Sequence, residues 1–269
     1  MAEPFDQLLV FLALLLGYFL VLPIVVGLGQ RYPASPMLTE LDFDELERSQ
    51  AEFLMTRTQT LYELGFDEPT LVQVCNGAPN VNAYVIMLVN RRTGDKAMVS
   101  ALVAQGLIPL QSLYVEFSTR FDTGEVFNTH NSRTLPAFPP APLAVRTQVP
   151  SVNDLRELYR LHTFVMGKHD VRGKKVLYEP GQALDYLLRF AFVKVYENQV
   201  KRGWLYFEQR SGCYRPTFKG SYLIVGALQQ PFKALRTMAL NRRARAILEE
   251  FRLNCAATEG NVYYEPDRS

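Results

Sequence analysis

The pattern of hydrophobic positions begins with one long apolar segment near the N-terminus. Residues 7–30 carry no charged side chain, and about 21 residues of this segment are almost entirely apolar. At 1.5 Å rise per residue such a helix extends roughly 31 Å, the thickness of a bilayer core. We therefore predict a transmembrane anchor at 7–30, after a short extramembrane N-terminus at 1–6. The competing interpretation is a cleaved signal peptide, which needs a basic start and a shorter apolar core, whereas Glu3 and Asp6 make this start acidic.

The charges beside this segment predict its orientation. Arg31 and Arg48 are the nearest basic residues, and both follow it. Because basic residues favour the cytoplasmic side, we expect a single-pass membrane protein with a cytoplasmic body. The 3 cysteines are widely spaced and form no CxxC pair, which favours free thiols in a reducing compartment.

After a polar linker at 31–43, the apolar positions first follow a helical period and then alternate. The helical period covers residues 44–64 and ends before Gly65. The alternating segments predict strands at 71–75, 83–89, 97–104, 113–121 and 125–129. Thr-Gly pairs after residues 92 and 122 predict hairpin turns. Residues 44–134 are thus expected to form an α+β domain of one helix and an antiparallel β-meander.

A proline-rich segment interrupts this pattern. Residues 135–142 contain four prolines, which disfavour helices and sheets, so we expect a connector and a domain boundary at 135–150. Beyond it, residues 151–269 have a mainly helical pattern. A β-hairpin is predicted at 204–215 and a basic C-terminal helix at 232–253. The expected fold class is α+β, with an N-terminal transmembrane helix before both parts.

The predicted hairpin has a recognisable surrounding sequence. Gly203 ends a helix, a strand and a tight turn follow, and Tyr-Arg-Pro-Thr-Phe-Lys-Gly at 214–220 opens another helix. Over about twenty residues this resembles the wing of bacterial winged-helix regulators, although Pro216 stands where those proteins usually carry an aliphatic residue. The resemblance implies an alternative function, a membrane-anchored regulator that contacts nucleic acid. The residues that would make this contact are Lys201, Arg202 and Arg210.

The C-terminal helix is the second charged feature. Leu240, Ala244, Ile247 and Phe251 fall on one face at helical spacing, with basic residues mostly around the rest. Two interpretations stay open: a solvated basic face on a packed helix, or contact with anionic lipid beside the anchor. The apolar segment at 222–228 is too short to span a bilayer and fits the interface. The candidate lipid contacts are Lys233, Arg236, Arg242, Arg243 and Arg245.

The remaining residues indicate no chemistry. The net charge of +2 implies no acidic partner. We find no Walker glycine loop, GxGxxG, GxSxG or HExxH motif, so we assign no catalytic, cofactor or metal residue. Of the 3 histidines we expect His162 to be half-buried and His130 and His169 to lie in loops. The leading hypothesis is a membrane-tethered, non-catalytic interaction or scaffold protein, whereas an enzyme should carry a deep pocket with convergent polar groups.

Overall fold

The structure, a computed structural model, describes residues 3–78, 81–104, 110–179 and 181–262 and has an α+β fold. In its first half the elements are α1 (Glu3–Gly29), β1 (Tyr32–Pro33), β2 (Met37–Glu40), a 3-10 turn (Phe43–Glu45), α2 (Arg48–Glu63), β3 (Asp67–Ala78), β4 (Val81–Asn90), β5 (Asp95–Ala104), β6 (Leu110–Arg120) and β7 (Val126–His130). In its second half they are β8 (Ala144–Gln148), α3 (Leu155–Gly167), α4 (Ala183–Leu187), a π-helical segment (Leu188–Val193), α5 (Lys194–Lys201), β9 (Leu205–Glu208), β10 (Cys213–Pro216), α6 (Phe218–Leu228) and α7 (Phe232–Val262).

The main sheet has seven strands in the order β2-β3-β4-β5-β6-β7-β8. Strands β3 to β7 form the predicted meander, and Gly94 and Gly124 take φ values of +78° and +95° in its tight turns. Strand β8, inside the predicted connector, extends this meander and makes the sheet mixed, because it pairs parallel to β7. A parallel neighbour needs a crossover, and the proline-rich residues after β7 provide one.

Two predicted non-regular segments contribute strands. β8 lies inside the predicted connector 135–150, and β1 and β2 lie inside the predicted linker 31–43. Each is short and gains its hydrogen bonds only from a partner distant in sequence: β2 pairs with β3, and β1 with β10. Their local sequence therefore carries little strand signal.

One face of the main sheet is covered by α2, α3 and α7. Leu54, Phe117, Leu158 and Phe251 are buried in one hydrophobic cluster that these helices share with the sheet. The cluster contains residues from both sides of the proline-rich segment. Both predicted parts therefore contribute to one hydrophobic cluster, and the division at 135–150 stays a prediction.

The other face of the sheet is covered only in part. Val72, Met87, Tyr178 and Leu187 form a second, smaller cluster under α4. Beyond that cluster, strands β5 to β8 face the π-helical segment and α5. A cavity lies in the space between them.

Helix α1 projects from this body. It starts at Glu3, within the predicted N-terminus 1–6, and most side chains along Asp6–Gly29 are exposed. Among the described residues it is the one helix long and apolar enough to cross a membrane. Its C-terminal end meets a small sheet of order β1-β10-β9, where the Arg215 guanidinium donates a hydrogen bond to the Leu28 carbonyl at 3.1 Å.

Candidate functional site

The cavity lies between the open face of the main sheet and the helices that follow residue 183. Its volume is about 420 Å³, within the range typical of small-molecule sites. Strand alternation produces it: Val115, Phe117 and Thr119 of β6 point into the core, so Glu116 and Ser118 point to the opposite face. Side chains of adjacent strands at the same level then converge on the cavity.

Three polar side chains converge there from three strands. Glu116 of β6 and His130 of β7 are direct cross-strand neighbours, and Arg146 projects from β8 at the next level of the sheet. At the level of Arg146, the Ser118 hydroxyl donates a hydrogen bond to Asn128 Oδ1 at 2.9 Å. Within the described part of the chain, His130 Nδ1 is buried without a hydrogen-bond partner. Such a group is costly to bury unless something else satisfies it.

Burial sets the protonation of this pair. It raises the pKa of Glu116 to about 7, against a smaller opposing effect of the positive charge on Arg146. It lowers the pKa of His130 to about 4, and Arg146 acts in the same direction. Near pH 7 the His130 imidazole is therefore neutral, and the pKa of the neighbouring Glu116 carboxyl group is close to the pH of the solution.

Two further basic side chains line the cavity. Lys96 donates from Nζ to the Val176 carbonyl at 2.7 Å, and burial lowers its pKa to about 8. The Arg120 guanidinium lies 4.2 Å from the centre of the Phe190 ring, and among the described groups its Nε has no hydrogen-bond acceptor. With Arg146, three basic side chains face the single carboxylate of Glu116.

The remaining lining is apolar. Met87 and Met98 contribute from the sheet, and Tyr186, Leu187 and Phe190 contribute from the helical side. Phe190 belongs to the π-helical segment, which widens the helix opposite the sheet. Such segments occur frequently at functional sites. The cavity thus combines an apolar wall with a polar, net basic floor.

A second depression, about 510 Å³ in volume, adjoins the cavity between the proline-rich segment and α7. We call it the α7 groove. It shares Leu135, Pro136 and Arg146 with the cavity and extends along α7 to Arg236 and Arg243. The two spaces therefore adjoin at Arg146.

Two of the three histidines lie in surroundings other than those expected from the sequence. His162 is fully buried in α3 instead of half-buried, and His130 ends strand β7 instead of lying in a loop. His169 lies in the turn after α3. In the described ranges no group of three His, Cys, Asp or Glu side chains could hold a metal ion, and the cysteines are free.

The five candidate lipid-contact residues lie on α7 as expected but do not behave alike. Lys233, Arg242, Arg243 and Arg245 are exposed. Arg236 is half-buried, and its guanidinium donates to the carbonyl oxygens of Leu223 and Pro136 at 3.0 and 2.7 Å. Arg236 thus joins α6, α7 and the proline-rich segment.

The candidate nucleic-acid residues lie around the β9-β10 hairpin. Lys201 and Arg210 are exposed. Arg202 donates to the Pro140 carbonyl at 2.6 Å and lies 3.9 Å from the centre of the Trp204 ring, which also stacks on Phe138. These contacts fasten the proline-rich segment to the body.

Sequence reasoning missed the cavity residues. The signal available was the alternation of polar residues at 114, 116, 118 and 120 with apolar residues at 113, 115 and 117. The same alternation is typical of any half-exposed strand. Only the helices that cover this face distinguish a cavity from open solvent.

No family model, no curated protein and no solved structure matches this chain.

Proposed function

We propose that this protein is a membrane-tethered binding protein that holds a small amphipathic anion in the cavity. The observation that supports this most directly is the convergence of Glu116, His130 and Arg146 beside an apolar wall. Small-molecule sites are mostly apolar clefts with a few placed polar groups. The sequence predicted an interaction protein without naming what it binds, and this proposal adds a class of ligand, a small amphipathic anion.

The charge of the cavity supports an anion of the fatty-acid type. Lys96, Arg120 and Arg146 outnumber Glu116, and an entering carboxylate can accept charge-assisted hydrogen bonds from an arginine. An alkyl chain fits the wall of Met98 and Phe190. The α7 groove supplies a basic approach to the same place, through Arg243.

The tether is α1. Its length, apolar composition and exposed side chains support a membrane span. Arg31 and Arg48 follow it, so we place the body in the cytoplasm. A reporter enzyme that is active only in the cytoplasm, fused after Ser269, should be active; activity of an export-dependent reporter at this position would reverse the orientation.

The alternative, a winged-helix-like regulator, finds less support. Its hairpin is present at β9 and β10, but β10 also pairs with β1. Arg215 binds the end of α1, and Arg202 is engaged by Pro140. Of the three candidate cations, Lys201 and Arg210 stay exposed, which is a small surface for a nucleic-acid backbone.

The test uses the full-length protein in lipid vesicles with a fatty acid that carries a photoreactive diazirine. After irradiation and digestion, mass spectrometry locates the label. We expect label on the peptides that contain Met98 and Leu187, and competition by excess decanoate. Arg146→Gln should weaken this labelling about tenfold, because a hydrogen bond to a charged group contributes about 1.5–3 kcal/mol.

Two further variants make the result specific. Ala191→Trp fills the cavity from the π-helical segment and should abolish the labelling. Arg172→Gln removes the same charge from a side chain that is 85% exposed and outside the cavity, so it should change nothing. Label on α1 peptides, from reagent dissolved in the lipid, calibrates every sample. Unlabelled cavity peptides, or equal labelling in Ala191→Trp, would contradict the proposal.

A further inference from the structure

Helix α6 and the start of α7 fold back along α1. The Tyr222 hydroxyl donates to the Phe19 carbonyl oxygen at 3.0 Å, and the rings of Phe19 and Phe232 are 5.5 Å apart. Nearer the end of α1, the two helices approach so closely that a Cβ on Gly27 would lie 2.8 Å from Ser221 Oγ. Residue 221 therefore lies beside residue 27, and residue 232 beside residue 19.

These pairings show that α6 runs antiparallel to α1 and that the chain then turns back into α7, so that α6 and the start of α7 form a helical hairpin. We call residues 218–238 the α6-α7 hairpin. It starts beside the C-terminal end of α1, turns at residues 229–231, and reaches Phe19 with its tip. Phe19 precedes Gly29 by ten residues, so the tip lies about 15 Å from that end, half the thickness of a bilayer core.

The outer surface of the hairpin is apolar. No charged residue occurs between Lys219 and Lys233. The exposed side chains include Phe218, Tyr222, Leu228, Phe232, Leu235 and Met238. This surface continues the exposed apolar surface of α1 on the same side of the body.

Four backbone N–H groups at the tip are paired within the protein. The N–H groups of Gln229, Lys233 and Leu235 donate to the carbonyls of residues 225, 229 and 231, and that of Ala234 donates to the Gln230 side chain. Pro231 has no N–H group. Unpaired backbone donors are costly in hydrocarbon, and these four are satisfied without water.

We propose that the α6-α7 hairpin is a re-entrant element, embedded in acyl chains of the same lipid leaflet as the C-terminal half of α1. The inference rests on the proposed membrane span of α1. Lys233 follows Phe232 directly and is exposed, so its ammonium lies near the tip, and its flexible stem carries it part of the way towards the phosphates. Arg242 follows Pro231 by eleven residues, about 16 Å along α7, so it returns to the level where α1 ends. Its neighbours Arg243 and Arg245 then meet lipid phosphates.

Depth measurement in vesicles tests this arrangement. The native cysteines are replaced by serine, and a spin label is attached to a single cysteine at position 228, 235, 242 or 20 of the full-length chain. Collision with oxygen reports lipid, and collision with a water-soluble nickel complex reports water. We expect Leu228→Cys and Leu235→Cys to resemble Leu20→Cys in α1, with oxygen dominant, and Arg242→Cys to favour nickel.

Met55→Cys is the matched control. Met55 lies on α2 of the body and is 56% exposed, close to the 60% of Leu235, so its label should favour nickel. If the label at 20 reports lipid while those at 228 and 235 report water, the re-entrant hairpin is wrong and the membrane tether stands. Labels at 228 and 235 that meet neither reagent would indicate a protein partner and would also overturn the inference. If the label at 20 itself reports water, the tether fails as well.

Discussion

Thr119 accepts a hydrogen bond from the His162 ring across the core, with 2.9 Å between Oγ1 and Nε2. The direction follows from the neighbouring contact, because Thr119 donates its own proton to Asp95 Oδ1 at 2.6 Å. His162 is therefore the neutral tautomer that carries its proton on Nε2, and its Nδ1 accepts from Thr129 at 3.0 Å. A fully buried histidine is thus satisfied on both sides.

This environment predicts a loss of stability in acid. Burial lowers the pKa of His162 to about 4, below its value of about 6.5 in the unfolded chain, so unfolding takes up a proton between these pH values. Stability should fall as the pH decreases from 6.5 to 4. In thermal melts, His162→Asn should flatten this slope, although His130 will maintain part of it. A slope that His162→Asn leaves unchanged would contradict the assignment.

Asp95 is the hub of the same network. It is 1% exposed and accepts from Thr119, from Tyr159 at 2.7 Å and from Lys175 at 2.8 Å. Burial alone would raise its pKa, but these hydrogen bonds lower it below the usual range. Asp95→Asn leaves the Lys175 ammonium without its carboxylate partner and should reduce the free energy of unfolding by about 3–5 kcal/mol.

The matched control for Asp95 is an exposed ion pair. Asp170 and Arg172 form a 3.0 Å pair whose side chains are more than 80% exposed, so Asp170→Asn should cost about 0–1 kcal/mol. Denaturant titrations of both variants, each dissolved in one and the same detergent, measure the two losses in the free energy of unfolding. Equal losses would show that burial of the Asp95 network contributes nothing.

Glu116 predicts the opposite pH dependence. Its pKa of about 7 exceeds the value of 4.5 expected in the unfolded chain, so the folded state binds more protons between these values. Its contribution to stability is present below pH 4.5 and is lost as the pH rises through 7. Glu116→Gln should therefore raise the melting temperature relative to wild type more at pH 8 than at pH 5. A pH-independent effect of Glu116→Gln would argue against a buried carboxyl.

Gly220 predicts a packing requirement where α6 begins. A Cβ added there would lie 2.0 Å from the Trp204 carbonyl oxygen, and this backbone atom cannot move aside cheaply. Gly220→Ala should lower the melting temperature by several degrees, since 1 kcal/mol corresponds to about 2–4 °C in proteins of this size. Gly226→Ala in the same helix has no atom closer than 3.6 Å and should be neutral or slightly stabilising. Similar effects of the two substitutions would contradict the close approach of α6 to Trp204.

The sequence alone determined the elements that depend on local pattern. An uncharged span predicts α1, helical periodicity predicts α2, and alternation between glycine turns predicts the meander. The apolar stripe of α7 is also confirmed, because Ala244 and Phe251 are buried while the arginines around them are exposed. These features follow from residues within one or two turns of each other.

Only the tertiary structure decided the pairings between distant segments. β8 becomes a strand because β7 offers a free edge, and its proline-rich approach carries no strand signal. Glu116, His130 and Arg146 meet because the register aligns three strands and a later helix covers them. The contact of α6 with α1 joins residues about 200 positions apart. Such contacts depend on the free energy of packing surfaces that do not yet exist in the unfolded chain, so no local pattern contains them.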